Sequence, residues 1–344
     1  VLSAPYIAEQ TDDGAPAEGT TPNPPPGPKG ATEVVFFDTA MVSDDDFDVG
    51  FYVAAAAAIP GATWSGYSLQ KSADGGSTWA EVASTSTASI MGTVETPLGN
   101  FTGGNVFDYS NVMRVTMLYG TLESVTEDAA LAGANAFIYG REVGNFTTAT
   151  LVSEGVYDVS GLLRGRRGTE WAIGTHAADE TFALRSTVLN VQTPPSEVGQ
   201  ARLYKAVTFD TAIVAATAVS FTNTAQSARC YAPVHLAGGP SASNAELIEF
   251  IPRTRKGGAW RDLVDITQAD TPVQYVIEIW DAAYAVCARV FSGLTSPSVS
   301  YSSAEQVADF GDEQLTYYVT AAQVGQFGLG MRVRAAVPGP GSTI

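Results

Sequence analysis

The chain has 344 residues, of which 45% are hydrophobic and 16% are charged, and its formal net charge is −18. This hydrophobic content is enough for packed cores, so wholesale disorder is excluded. The surplus of acids disfavours contact with nucleic-acid phosphates and anionic membranes, so we expect no nucleic-acid sequence recognition. The longest apolar run, Phe51 to Ile59, is shorter than the roughly 20 residues that cross a bilayer, so we expect no membrane span.

Residues 1–30 predict a linker, because five prolines lie between Pro22 and Pro28. Proline at this density cannot pair in a sheet or continue a helix, and it favours an extended polyproline spacer. Residue 1 is Val rather than Met, so we expect the chain to start inside a longer protein or after processing.

Residues 31–190 predict a β-rich domain, because short apolar strands alternate with turns. One helical turn is expected over Ser124 to Gly133, with Ser124 and Glu127 as a capping box. The expected strands are 33–37, 50–55, 65–71, 79–83, 112–119, 136–139, 149–153, 155–163 and 181–184.

Residues 191–229 predict a β connector with strands at 201–209 and 218–222. Residues 230–337 predict about seven strands, the number expected of a fibronectin type III-like sandwich, and 338–344 predict a flexible tail. The predicted fold class is therefore all-β: an antiparallel β-barrel or sandwich, followed by a fibronectin type III-like sandwich. The strands expected in the second domain are 245–252, 274–280, 285–291, 298–301, 315–324 and 330–337.

Two local motifs favour structural roles. Ser72 to Trp79 fits the S-x-D-x-G-x-T-W pattern of sialidase-type propellers, but a single copy favours a hairpin capped by Asp74. The acidic run Asp44 to Asp48 predicts a solvated turn or, alternatively, a bound cation. An EF-hand is excluded there, since Val49 and Ala55 occupy the sixth and twelfth positions.

Two basic loops are the candidate contact sites. The first, Val159 to Trp171, interleaves arginines with glycines, and guanidinium groups favour carboxylates. It predicts either internal salt bridges to acids such as Glu142 or Glu154, or a contact with a partner, or nucleic-acid binding. The second, Arg253 to Arg261, predicts a rigid hairpin or a recognition loop. The candidate partner-contact residues are Arg164, Arg166, Arg167, Glu170, Arg253, Arg255, Trp260 and Arg261.

Signatures of catalysis are absent from the sequence: there is no G-x-S-x-G, H-E-x-x-H, P-loop or dinucleotide fingerprint. Two histidines and two cysteines match no zinc-finger spacing, and two cysteines cannot form a disulfide framework. We therefore expect no catalytic residue, cofactor or metal site. A carboxylate pair for glycoside hydrolysis stays open, because the acids are many.

The segment Asn135 to Leu184 resembles part of the tail-hub or host-specificity proteins of long-tailed phages and gene transfer agents. The resemblance lies in L-L-R-G-R-R-G-T-E at 162–170 and in His176. Arg141 stands where that family has Gly. Further segments resemble the family's fibronectin-like C-terminal part: APVHL at 232–236, RTRKGGAWRD at 253–262, YVIEIWD at 275–281 and VADFG at 307–311.

This resemblance implies a structural component of a tail tip or baseplate hub that contributes to tail assembly and host-surface contact, without catalysis. It implies a homotrimer about the tail axis, with the distal tail protein and other baseplate or fibre proteins as neighbours. A host receptor or glycan is a further expected partner. The expected location is the distal end of the virion tail, after assembly in the host cytoplasm. The alternatives are a tail-associated glycan- or cell-wall-degrading enzyme and a secreted carbohydrate-binding β-sandwich protein.

Overall fold

The computed structural model describes residues 29–241, 244–258, 266–270 and 273–340. Its strands pair antiparallel in five sheets, one of which closes into a barrel, so the predicted all-β class is confirmed. Within these ranges no helix has the length and apolar character needed to cross a bilayer. The strands are β1 (Thr32–Phe37), β2 (Gly50–Ala57), β3 (Tyr67–Ser72), β4 (Ala80–Thr85), β5 (Met91–Val94), β6 (Met113–Tyr119), β7 (Ala136–Tyr139), β8 (Glu142–Ser153), β9 (Val156–Leu163), β10 (Glu180–Leu184), β11 (Leu189–Gln192), β12 (Arg202–Thr208), β13 (Val219–Phe221), β14 (Val234–Pro240), β15 (Glu246–Ile251), β16 (Gln274–Trp280), β17 (Cys287–Leu294), β18 (Ser298–Tyr301), β19 (Thr316–Gly325) and β20 (Gly328–Pro338).

The first region is a sandwich of the sheets β1-β2-β11 and β13-β12-β3-β4. Its strand β2 is buried along its whole length, which explains the apolar run in the sequence. Phe51, Val53 and Ala55 pack towards the second sheet, while Tyr52 and Ala54 pack towards the barrel. Because side chains alternate across a strand, one sheet joins the two cores.

The barrel has the strand order β10-β5-β6-β9-β8-β7 and closes where β7 pairs with β10. Its interior is filled by side chains such as Met113, Phe137, Phe146 and Phe182, none of which is exposed to solvent. Closure leaves no unpaired strand edge around the barrel.

The barrel is an insertion within the first sandwich, since the chain leaves that sandwich after β4 and returns to it at β11. Strand β12 then pairs with β3 along Leu203 to Thr208. The prediction of 191–229 as a connector between domains is therefore corrected, because its strands are integral members of the first sandwich. Sequence order alone does not indicate this nesting, since pairing between β3 and β12 is non-local.

Residues from Val234 to Pro338 form the C-terminal sandwich, with the sheets β14-β15-β18 and β17-β16-β19-β20. Its seven described strands agree with the number predicted. Strands β5, β11 and β14 and the first half of β8 have no counterpart among the predicted strands. These segments are short or rich in glycine and asparagine, so their periodicity is weak.

Among the described residues, two α-helices interrupt the strands, α1 (Glu127–Leu131) and α2 (Ser303–Phe310). Thr126, and not the predicted Ser124, caps α1, because the Thr126 side chain accepts a hydrogen bond from the Ala129 amide. Helix α2 was not predicted, although Ser302 and Glu305 form a reciprocal capping box. That spacing in the sequence is the signal that could have identified the helix.

Replacing Ser302 by alanine should lower the free energy of unfolding by about 0.5–2 kcal/mol, because the Glu305 amide loses its acceptor. Chemical denaturation of the two chains measures the difference. A Ser302→Thr variant keeps the hydroxyl and should retain most of the stability. Equal losses in both variants would contradict a capping role.

The ends of the chain bear on the predicted linker and tail. Residues 1–28 and 341–344 lie outside the described residues, so most of both predictions does too. Gly30, within the predicted linker, donates its amide to the Thr63 carbonyl at 3.0 Å. Gly30, the last residue of the predicted linker, therefore belongs to the folded region. The other domain boundaries remain predictions.

Candidate functional site

Arg164, the first arginine of the L-L-R-G-R-R-G-T-E motif, is buried at one end of the barrel. Its guanidinium forms a two-pronged pair with Glu142, with Nε–Oε1 at 2.5 Å and Nη2–Oε2 at 2.8 Å. Neither side chain has any exposed area, and a third buried group, Asp108, lies 3.5 Å from Nη1. Burial would raise the pKa of Glu142, but hydrogen bonds from His176 and Arg164 outweigh it and hold that pKa below its ordinary value.

His176 joins the same network from the segment that precedes β10. Its Nε2 lies 2.7 Å from Glu142 and its Nδ1 lies 2.8 Å from Glu180. Both nitrogens face carboxylates, an arrangement that favours the imidazolium form, in which both nitrogens donate. Burial would lower the pKa of His176, but the bonds to the two glutamates outweigh it and raise that pKa. The Tyr139 ring stacks on the imidazole at 3.9 Å.

The proposed partner contact through Arg164 is therefore wrong, because a fully buried guanidinium cannot meet another chain. The alternative of an internal salt bridge holds for Arg164 and for Glu142, one of the two acids considered. The motif and His176 act together to tie β8, β9 and β10 at one end of the barrel. An apolar setting makes this network costly to break and gives the barrel a rigid end.

The glycines of the motif are required by space and backbone conformation. Gly168 has φ +76°, and a Cβ added there would lie 2.3 Å from the Tyr231 ring. Gly165 has φ +61°, and a Cβ there would lie 2.9 Å from the Glu170 backbone. Gly168 therefore lets the loop pack against Tyr231, and Gly165 lets the loop fold back on its own residue Glu170.

A Gly168→Ala substitution should destabilise the chain by about 1–3 kcal/mol, from left-handed backbone strain and the clash with Tyr231. Gly133→Ala is a matched control, since Gly133 has φ +104° but nothing within 4 Å of an added Cβ. The excess loss in Gly168→Ala over the control, measured by thermal unfolding, reports the contact. Equal losses would mean that the contact contributes nothing.

The acidic run 44–48 and the second basic loop face each other within the chain. Lys256 lies 3.0 Å from Asp48, and the Gly257 amide donates to Asp44 at 2.8 Å. Asp44 also accepts from Arg167 at 2.7 Å. Three acids of this run, Asp44, Asp46 and Asp48, thus have basic partners within the chain. No group of three or more metal-ligating side chains is found in the part of the chain that the structure describes.

Two more predicted contact residues pair internally. Arg255 is 7% exposed and binds Asp270 at 2.6 Å and the Ser227 carbonyl at 2.7 Å. Its prediction as a partner contact is corrected, since burial removes it from the surface. Arg253 lies 2.8 Å from Glu170, and this ion pair joins the C-terminal sandwich to the loop after β9. Trp260 and Arg261 lie outside the described residues.

A cleft of about 1220 Å³ lies where the barrel meets the C-terminal sandwich, and we call it the arginine cleft. It brings five of the eight predicted contact residues to one place, although they are far apart in sequence. Arg185, which follows β10, adds a cation that the sequence analysis missed. The charged lining residues are Arg166, Arg167, Arg185, Arg253, Arg255, Asp44 and Glu170.

The hairpin between β3 and β4 confirms the structural interpretation of the Ser72 to Trp79 motif. Asp74 accepts hydrogen bonds from the Thr78 amide at 2.9 Å and from its hydroxyl at 2.7 Å. Gly75 and Gly76 have φ +74° and +99°. Hydrogen bonds from Thr78 hold the pKa of Asp74 well below its ordinary value, so the cap is ionised at neutral pH.

Comparison with known proteins gives one family match. Residues 89–183 match the model of the family described as Rcc01698-like, C-terminal. That family is associated with gene transfer agents and phage-like proteins. The matched residues coincide with the barrel, which runs from Met91 in β5 to Leu184 in β10. No curated protein matches the chain.

Two solved structures are similar at low identity. The chicken interferon gamma receptor alpha chain, with selenomethionine, is 10% identical, with 74% of this chain and 99% of that chain covered and a TM-score of 0.27. The FN1–FN3 domains of chicken CNTN1 are 9% identical, with 90% and 98% covered and a TM-score of 0.22. These TM-scores are too low to indicate a shared overall architecture.

The family match over residues 89–183 shows that the barrel of this chain is similar to proteins associated with phages and gene transfer agents.

Proposed function

We propose that this chain is a structural, non-catalytic component of the tail tip or baseplate hub of a phage-like particle or gene transfer agent. The observation that carries the proposal is the family match over 89–183, which coincides with one closed folding unit, the barrel. The tail-hub resemblance of the motif at 162–170 and His176 lies inside the same unit. The proposed location is the distal end of the tail.

A scaffold role fits the construction of the molecule. The buried network around Arg164 makes one end of the barrel rigid, and the pairs Arg253–Glu170 and Lys256–Asp48 tie the C-terminal sandwich to the rest. A particle component must hold its modules at fixed positions while it meets its neighbours. We propose that these neighbours are two further copies around the tail axis, the distal tail protein and other baseplate or fibre proteins.

Mass spectrometry of purified particles tests the proposal. We expect peptides of this chain in stoichiometric amounts, and peptides from upstream of Val1 if the chain is part of a larger hub. Cross-linking within particles should give a trimer. Absence of the chain from particles, together with monomeric behaviour, would favour a secreted binding protein. Turnover of cell-wall glycan by the purified chain would favour the enzyme.

A further inference from the structure

The residues at the arginine cleft include more arginines than carboxylates to pair with them. Five arginines and two carboxylates line it, and two further carboxylates pair with lining arginines, so one arginine more than carboxylates remains in a chain whose net charge is −18. Asp46 and Asp270 pair with Arg185 and Arg255 from outside the lining. The uncompensated charge is therefore centred on Arg166, which forms no ion pair with any carboxylate that the structure describes.

Arg166 is held among like charges in a half-buried position. Burial lowers the pKa of Arg166, and the charges of Arg167 and Arg253 lower it further, although the nearby charge of Glu170 raises it. Each guanidinium has five N–H donors, whereas Arg167 and Arg253 each give only one nitrogen to a carboxylate. Several donors therefore remain for an anionic group that enters the cleft, and a guanidinium binds a carboxylate best through two of them.

The rest of the lining is amphipathic. Leu131, Ile251 and Ile266 are 52%, 54% and 52% exposed and give the cleft apolar surface. Asn145 and Gln268 also line the cleft; their amide nitrogens donate to the Ala134 and Arg253 carbonyls, whereas the Gln268 Oε1 atom is buried without a hydrogen-bond partner among the described residues. Amides and apolar patches together match sugar rings, which present hydroxyl groups at their edges and C–H groups on their faces.

We propose that the arginine cleft binds a short carboxylated oligosaccharide. The carboxylate of one sugar accepts hydrogen bonds from Arg166 and from either Arg167 or Arg253. The inference gives a chemical class to the host-surface contact that the tail-hub resemblance implies, and it rests on the proposed function for its biological setting. A short ligand with widely spaced charges suits a local cationic site on an acidic chain. A nucleic acid, with one charge per about 1.7 Å of duplex, is repelled more strongly by the rest of the surface.

Isothermal titration of the full chain with oligogalacturonate, a defined carboxylated oligosaccharide, tests the proposal. The methyl-esterified oligosaccharide is the matched ligand, since it keeps the sugar backbone and lacks the charge. We expect binding of the acid form and at least about 10-fold weaker binding of the ester, because the ester loses the charge-assisted hydrogen bonds to the guanidinium groups. Equal affinity for the two forms, or no binding of the acid form, overturns the proposal.

Arg166→Gln is the informative variant, since Arg166 has no ion pair whose loss would leave a described carboxylate unpartnered. It should weaken binding of the acid form about 10-fold or more and leave the unfolding midpoint unchanged. Arg114→Gln is the control, because Arg114 lies on the barrel surface, pairs with Asp158 and is outside the cleft. Unchanged affinity in Arg166→Gln, or the same loss in Arg114→Gln, contradicts the site.

Two further ligands separate the classes of partner. A single-stranded oligonucleotide or an acidic peptide of the same charge should bind more weakly than oligogalacturonate, and tighter binding of either one overturns the glycan assignment. These titrations do not depend on particle assembly. Failure of glycan binding with the chain present in particles removes only this inference, whereas absence from particles removes the proposed function.

Discussion

Replacement of Arg164 by alanine is expected to lower the free energy of unfolding by about 3–5 kcal/mol or to prevent folding, because it removes the guanidinium that pairs with two buried carboxylates. Glu142 and Asp108 have no exposed side-chain area, so both carboxylates depend on partners within the protein. His176 would remain as the other cationic partner of Glu142, at 2.7 Å. Urea denaturation, followed by fluorescence and circular dichroism, measures the loss.

The matched control is Arg114→Ala, which removes an arginine that pairs with Asp158 at 2.8 Å on the barrel surface. Exposed pairs contribute about 0–1 kcal/mol, so this variant should unfold almost as the wild type does. Near-equal effects of the two substitutions would show that the buried network does not stabilise the barrel. The comparison separates loss of an arginine from loss of a buried charge partner.

Glu246 is expected to make the C-terminal sandwich less stable as the pH rises from about 4.5 to about 7. The side chain has no exposed area, and neither carboxylate oxygen has a hydrogen-bond partner among the described residues. Burial raises the pKa of Glu246 from its ordinary 4.5 to about 7. The unfolded chain thus loses this proton near pH 4.5 while the folded chain keeps it, so folding becomes less favourable over that interval.

We expect this group to account for about 1–3 kcal/mol between pH 4.5 and pH 7, as its pKa shift implies. A Glu246→Gln variant cannot ionise, and its unfolding free energy should vary less with pH by that amount. Glu249→Gln is the control, because Glu249 is an exposed residue of the same strand. Denaturation of the wild type and of each variant at pH 5 and pH 8 gives the change in unfolding free energy with pH for each chain. A pH dependence in Glu246→Gln equal to that of the wild type would contradict the assignment.

The sequence determined the local features of this protein. Short stretches rich in apolar residues predicted the strands Ala136–Tyr139, Gln274–Trp280 and Ser298–Tyr301 with their observed bounds. The Ser72 to Trp79 hairpin was also predictable, since Asp74, its glycines and Thr78 interact within a few residues. Such features depend on neighbours in the chain, and a pattern of neighbours is what a sequence displays.

The tertiary structure decided which charged groups meet. Arg164 and Arg166 are two residues apart in one motif, yet one is buried against Glu142 and the other lines an open cleft. The sequence could offer internal and external roles for both, but it could not assign them, because burial depends on the closure of the barrel. The meeting of Lys256 with Asp48 depends likewise on the packing of the two sandwiches.

The nesting of the barrel inside the first sandwich was also decided at the tertiary level. Strand β12 resembles a connector in the sequence, since it follows the barrel and a proline-containing break. It pairs with β3 across more than one hundred residues because both strands bury apolar side chains against β2. The sequence determines which segments can form strands, whereas the demand to cover both faces of β2 decides which of them pair.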